Sequence, residues 1–249
     1  MSPAKLQNFD TPAPVKESTT PLYPKEARML YKSLEALPAS DISSLMSINP
    51  QLAHNVYQYI HAFPLSRTPQ KQAIFAYNGI AYQGLDAQSF TKEDMDFAQN
   101  HLVHISGLYG ILRPLDLIKP YRLEMQIPVV NNKGKNLYGF WSDTISKNLA
   151  KRMKADDNTL INLASKEYAK AVNQKLLPKD SKIITPIFKQ HTDKGYKQIV
   201  VYAKKARGMM ARFIIQNKLT EIEHLKAFDT EGYTFAPQLS DGREWVFVR

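Results

Sequence analysis

A mixed α+β domain is expected on three grounds. Helical and strand-like patterns interleave along the chain. The two best hairpin signals, Asp193-Lys194-Gly195 and Asp241-Gly242, both fall near its end. No internal repeat, low-complexity tract or linker divides the 249 residues, so residues 1–249 read as one domain. Interleaving alone would suit a doubly wound parallel sheet, but hairpins join antiparallel neighbours, and a partly antiparallel sheet fits better.

Each element has its own signal. Residues 1–25 hold five of the 15 prolines and read as an extended arm over the surface. Helical patterns follow over Lys25–Leu37, Ser40–Ile48 and Gln51–Phe63; Ser40/Asp41 cap the second, and Asn49-Pro50 caps and opens the third. The apolar run Ala73–Tyr77, closed by Asn78-Gly79, reads as a strand and turn. Thr91-Lys92-Glu93-Asp94 has the form of a capping box and starts a helix to about His104. A Gly-rich turn, Ser106–Gly110, leads to a strand at Tyr121–Ile127. A helix is expected over Leu137–Met153, a buried strand over Thr159–Leu163 and a helix over Ser165–Leu176. Strands Lys182–Lys189 and Tyr196–Ala203 flank the first hairpin signal, followed by a basic helix, a short helix near Glu221–Phe228 and the second hairpin.

Bulk properties exclude several classes. Cysteine is absent, which rules out disulfides, thiolate metal sites and a cysteine nucleophile. No stretch approaches the roughly 20 apolar residues of a membrane span, and polar, Pro-rich Met1–Thr20 is no signal peptide. A cytoplasmic protein without membrane contact is expected. The six histidines lie scattered; His101 and His104 are three apart on the expected helix, but without a third ligand in register they read as surface residues, as do His54 and His61. No metal site and no cofactor is expected, and P-loop, dinucleotide and nucleophile-elbow motifs are missing.

The formal net charge of +10 is concentrated. From Lys194 to Lys218 there are seven Lys or Arg and no Asp or Glu, and five of the seven follow the apolar run Gln198–Tyr202. A strand handing over to a helix exposes backbone N–H groups that attract anions, and added cations make a phosphate site there. On a helical wheel Lys205 and Arg212 lie within roughly 20° of one another with Gly208 between them, a bare spot where phosphate would approach the backbone. Lys204 and Arg207 form an adjacent row, while Met210, Phe213 and Ile214 supply the docking stripe. The competing interpretation is a solvated charged face.

Three further blocks carry candidate chemistry. Ile105–Asp116 contains Gly107-Leu108-Tyr109-Gly110 followed by Arg113, similar to a helix-hairpin-helix whose glycine amides hold DNA phosphate, although one residue longer than usual; a plain turn is the alternative. In Tyr121–Ile127 strand alternation puts Arg122, Glu124 and Gln126 on one face, either solvent-facing or lining a cleft where Arg122 binds phosphate and Glu124 acts as a base. In Leu160–Tyr168 an apolar strand with an interior Asn162 meets a helix at Ser165, a usual ligand position, with Glu167 and Tyr168 following; the alternative is Ser165 as N-cap and Asn162 holding a turn. Glu124, Glu167, Asn162 and Tyr168 would suit N-glycosidic cleavage of a nucleoside or damaged base, which makes an enzyme the alternative to a binding protein.

Together these blocks resemble the YaaA family of bacterial peroxide-stress proteins. The matching segments are Ser2-Pro3-Ala4-Lys5, Leu102–Met125, Asn162–Tyr168, Tyr202–Phe213 and Glu231-Gly232-Tyr233, in the family's order over essentially the whole chain. The resemblance implies one domain around a curved, half-open mixed sheet with surrounding helices and a helix-hairpin-helix element around Gly107–Leu117. It also implies largely sequence-independent binding of duplex or distorted DNA in a basic cleft, and a role in limiting intracellular iron and oxidative DNA damage. The cleft cations would be Lys5, Arg113, Arg122, Lys204, Lys205, Arg207 and Arg212, in a monomer, with a small nucleotide as alternative partner. The family pattern has an apolar strand directly before the Ser-Pro-Ala-Lys block, where this sequence has Met1 alone.

Overall fold

A computed structural model describes residues 1–249. After an arm with no regular element, three helices form: α1 (Pro24–Glu35), α2 (Ala39–Met46) and α3 (Pro50–Ala62). Apolar positions spaced three and four apart bury Ala27, Leu30, Tyr31 and Leu34 from the first and Ala53, Val56 and Ile60 from the third. Asn49 caps α3 by accepting from the Leu52 N–H. Ser40 and Asp41, expected as caps, lie inside α2, whose N-cap is Pro38.

Strand β1 (Lys71–Gln72) then meets α4 (Ala73–Ala76) and α5 (Ile80–Leu85). The expected strand at Ala73–Tyr77 is therefore corrected to a helical turn. Every residue from Lys71 to Tyr77 is buried, and an apolar run buried on all sides carries no periodicity to separate strand from helix. The Lys71 ammonium and Gln72 amide hold the N-terminal arm down by donating to the carbonyls of Asn8, Thr11, Val15 and Glu17.

Helix α6 (Lys92–His101) begins with the complete capping box of Thr91 and Asp94. It stops before His104, which sits fully buried in β2 (His104–Ser106), so the expectation of a surface histidine is overturned. Strand β2 pairs antiparallel with β3 (Gly110–Leu112), and β1 with β4 (Leu117–Ile118). The region expected to be a helix-hairpin-helix is thus a β-hairpin followed by a short strand. Gly110 has φ +71° at the turn, and a Cβ there would come within 2.5 Å of the Trp141 ring.

Tyr121–Ile127, expected as a strand, has no sheet partner, although Tyr121, Leu123, Met125 and Ile127 all face inward. Helix α7 (Leu137–Lys154) is capped by Asn136, and β5 (Thr159–Ile161) follows. The helix expected over Ser165–Leu176 is broken into α8 (Lys166–Ala169) and a 3₁₀ turn at Gln174–Leu176. Strand β6 (Lys182–Lys189) runs into a turn closed by a single bridge between Gln190 and Lys197, and α9 (Val200–Gln216) starts where a second strand was expected. Strands β7 (Thr234–Phe235) and β8 (Glu244–Val248) end the chain, the Asp241 carboxylate fixing the preceding turn through the Arg243 and Glu244 N–H groups.

The class is mixed α+β, but the sheet is divided. A four-stranded sheet in the order β5-β6-β8-β7, parallel except at β7, stands beside the two two-stranded pieces, and none closes. One cluster of 57 buried apolar residues reaches from Met1 to Phe247, so these pieces share a single core. Within it α5 and α9 cross at Gly84 and Gly208. A Cβ on Gly208 would lie 1.7 Å from the Ala81 carbonyl oxygen, and one on Gly84 2.3 Å from that of Lys205. Small residues are what allow the two backbones to touch.

Candidate functional site

Close helix contact decides what Gly208 does. Its bare Cα faces α5 and is buried, so the predicted phosphate approach beside it is closed. Gly107 is likewise buried: a Cβ would meet the Leu123 carbonyl at 2.3 Å, and its own carbonyl accepts from the Trp141 indole at 2.8 Å. Gly107, Gly110 and Gly208 are packing residues, which glycine content alone cannot distinguish from phosphate cradles.

The expected cleft cations separate into two sets. Arg113 and Arg212 are committed to structure. The Arg113 guanidinium donates to the fully buried Asp116 at 2.7 Å and to the Thr20 carbonyl, fixing the arm. Arg212 donates to the Asp86 carbonyl at 2.9 Å, to its carboxylate at 3.2 Å and to Ser89, stapling α9 to the end of α5. Lys205 is paired with Glu231, which also takes Arg249 at 2.7 Å; the bonds from Lys205 and then Arg249 lower the Glu231 pKa. Lys204 is exposed and Arg207 half-buried, and neither has a carboxylate partner; burial lowers the Arg207 pKa.

Lys5, Arg122, Glu124 and Glu167 meet in a polar hub. The Glu124 carboxylate is 7% exposed and lies between the Arg122 guanidinium at 2.8 Å and the Lys5 ammonium at 3.1 Å. Its second oxygen has no partner, nor does the Arg122 Nε. Glu167 accepts from the Gln126 N–H at 3.3 Å. Burial raises its pKa, with the Glu124 charge adding to the rise and the Gln126 N–H and Lys5 opposing it. Two carboxylates thus stand in contrasting surroundings: Glu124 is clamped by two cations, while burial raises the pKa of Glu167.

Ser165, Tyr168 and Asn162 come from the segment that carries Glu167. Ser165 precedes α8 without capping it through its side chain; its N–H donates to the Ser2 hydroxyl at 2.8 Å. Tyr168 is buried, and burial followed by the charges of neighbouring groups raises its pKa. Asn162 shapes the turn, accepting from the Ala164 N–H and donating to the Thr185 hydroxyl.

Sequence reasoning missed the hydroxyl network beneath. The Ser106 hydroxyl accepts from the Leu108 and Tyr109 N–H groups and shares a 2.7 Å hydrogen bond with the Tyr121 hydroxyl, which shares another of 2.6 Å with the Tyr77 hydroxyl. Burial pushes the Tyr121 hydroxyl up to about 12. Tyr82 donates to the Ser2 carbonyl at 3.0 Å, which makes His104 Nδ1–H the donor in their 2.9 Å contact and leaves His104 Nε2 an unpaired acceptor. Burial, then the charge of the Met1 ammonium, hold the His104 pKa well below 6.5. The available signal was tyrosine on the apolar side of Tyr121–Ile127, since a buried hydroxyl requires a partner.

A third region is the rim before α9. Lys194 and Lys197 are exposed and lack carboxylate partners, beside exposed Tyr196, Ile199, Val200, Val201 and Tyr202.

No helix is long and apolar enough to cross a membrane. The model of the family described as peroxide stress protein YaaA matches residues 1–239. A UPF0246 protein of Saccharophagus degradans is 47% identical over 252 aligned positions, covering 100% of this chain and 98% of the relative. UPF0246 proteins of Teredinibacter turnerae and Alteromonas mediterranea are 44% and 45% identical, each over 100% of this chain and over 98% and 96% of their own lengths. With a family model and whole-length relatives in agreement, this chain belongs to the YaaA family of peroxide stress proteins.

Proposed function

We propose that the protein serves the peroxide-stress response in the cytoplasm as a monomer that binds DNA through its phosphate backbone, limiting oxidative DNA damage and intracellular iron. The observation that carries this reading is the acid-free segment Lys194–Lys218, in which Lys194, Lys197 and Lys204 reach solvent without a carboxylate partner. An exposed lysine with no internal anion keeps its charge available for phosphate. The binding surface is centred on these three, with half-exposed Lys205 and exposed Lys5 able to exchange a carboxylate for a phosphate. Affinity falls steeply with salt and depends little on sequence. Replacing Lys194, Lys197 and Lys204 by Glu lowers the slope of log affinity against log salt by about 3. Unchanged isotherms for that variant at matched salt, with folding intact, would overturn the reading.

The hub favours a second reading, an enzyme acting on a nucleotide, nucleoside or damaged base. Its support is the Glu124–Glu167 pair, in which a clamped carboxylate faces one whose pKa is raised. On this reading Glu167→Gln binds ligand but loses turnover. If the wild-type protein consumes no nucleoside and no damaged oligonucleotide, the enzymatic reading falls.

A further inference from the structure

Exposed apolar side chains are unevenly distributed over this molecule. Of the 12 large apolar residues left exposed, five fall within residues 196–202: Tyr196 at 43%, Ile199 at 39%, Val200 at 64%, Val201 at 52% and Tyr202 at 44%. Contiguous apolar exposure of this kind marks an interaction surface. The ledge is held in place from below. The Gln190–Lys197 bridge fixes it to the end of β6, Gly195 turns the chain at φ +86°, and α9 begins at Val200. His191 meets the Tyr196 ring at 5.4 Å and 78°, and the Arg249 guanidinium lies 5.2 Å from the Tyr202 ring centre.

The charge around the ledge selects its occupant. Lys194, Lys197 and Lys204 surround it unpaired, while the nearby Glu231 is already taken by Lys205 and Arg249. The partner is therefore anionic and also carries flat or apolar surface. Duplex DNA offers anions, but its base faces are stacked on one another and cannot cover tyrosine or valine. Unpaired bases can, and two half-exposed tyrosines in a basic surround are the pattern that binds them.

We infer that the ledge Tyr196–Lys204 takes unpaired bases of single-stranded or locally melted DNA, stacking them on Tyr196 and Tyr202 while Lys194, Lys197 and Lys204 hold the adjoining phosphates. This rests on the nucleic-acid reading above and narrows it from backbone contact to a strand with open bases. Val200 and Val201 stand at the start of α9 as the apolar wedge beside the separated bases.

The test measures binding of the full chain to a labelled single strand and to a hairpin duplex of equal phosphate number, at one salt concentration. Wild-type protein is expected to prefer the single strand. Tyr196→Ala with Tyr202→Ala weakens single-strand binding about tenfold or more and duplex binding by less than about twofold. Because Tyr202 lies under Arg249, Val200→Ser with Val201→Ser serves as a second variant at positions open to solvent, and the same selective loss is expected. Equal affinity for both DNAs, or equal losses on both, overturns the inference while leaving phosphate binding standing. Binding to neither DNA removes the nucleic-acid reading itself. Binding to phosphatidylglycerol vesicles that the two serines abolish, with DNA binding unchanged, assigns the ledge to a lipid surface and overturns the inference.

Discussion

The hub and the ledge use the same residue types to opposite ends. In the hub, Arg122 and Lys5 close on a buried carboxylate, and the tyrosines Tyr77, Tyr82 and Tyr121 are buried with their hydroxyls bonded. On the ledge, Lys194, Lys197 and Lys204 have no anion, and Tyr196 and Tyr202 show nearly half their surface. Burial is the difference. A charge taken from water must be paired or it costs several kcal/mol, whereas an exposed charge can wait for a ligand. The hub therefore spends its charges on internal order, while those of the ledge stay open to solvent.

The largest effect that could break this comparison is at Glu124. Glu124→Ala leaves the Arg122 guanidinium, 14% exposed, without its counter-ion and is expected to cost about 3 kcal/mol or more, read by denaturant unfolding. A loss below about 0.5 kcal/mol, the range of ordinary surface substitutions, would place the hub in the same class as the ledge.

Gly208→Ala comes next and separates packing from phosphate binding within α9. The added methyl would meet the Ala81 carbonyl and the Leu85 N–H, neither of which can rotate away. Overpacking of this kind costs about 1–3 kcal/mol. A variant that keeps its melting temperature but loses DNA would restore Gly208 to the binding surface.

A smaller effect follows from His104. Its folded pKa is depressed below 6.5, so the unfolded chain binds a proton that the folded chain refuses. Stability from this group is complete above about pH 6.5 and is lost as pH falls, at up to about 1.4 kcal/mol per unit. His104→Gln is expected to flatten the acid limb of stability against pH. An unchanged limb would mean that another group sets it.

The ledge gives the smallest stability change: Val200→Ser with Val201→Ser should shift unfolding by no more than about 0.5 kcal/mol each. A larger loss would mean that these valines are core residues in solution.

Helices with a chemical signature at their ends were legible before folding was considered. Asn49 and the Thr91–Asp94 box sit at the starts of α3 and α6 because a cap is satisfied within three residues. Apolar content alone was a weaker guide: it located β5 and β6, but Ala73–Ala76 is helical and Tyr196–Ala203 divides between a bridge and a helix start. Lys5, Glu124, Glu167 and Tyr168 come from separate blocks that residue chemistry and resemblance assign to a cleft, but their particular partners are not legible, and Ser2 and Tyr82 join them only through contacts distant in sequence.

Fold class, family and the concentration of positive charge between Lys194 and Lys218 are all legible in the order of amino acids. Composition and local spacing survive any arrangement of the chain, so they can be read from it directly. Which of those charges are free depends on the folded chain. Arg212 meets Asp86 across 126 residues and Lys218 meets Asp94 across 124, and Gly208 is filled by a carbonyl from another helix. Pairing and close packing depend on which distant groups the fold brings within reach, and no local pattern carries that information.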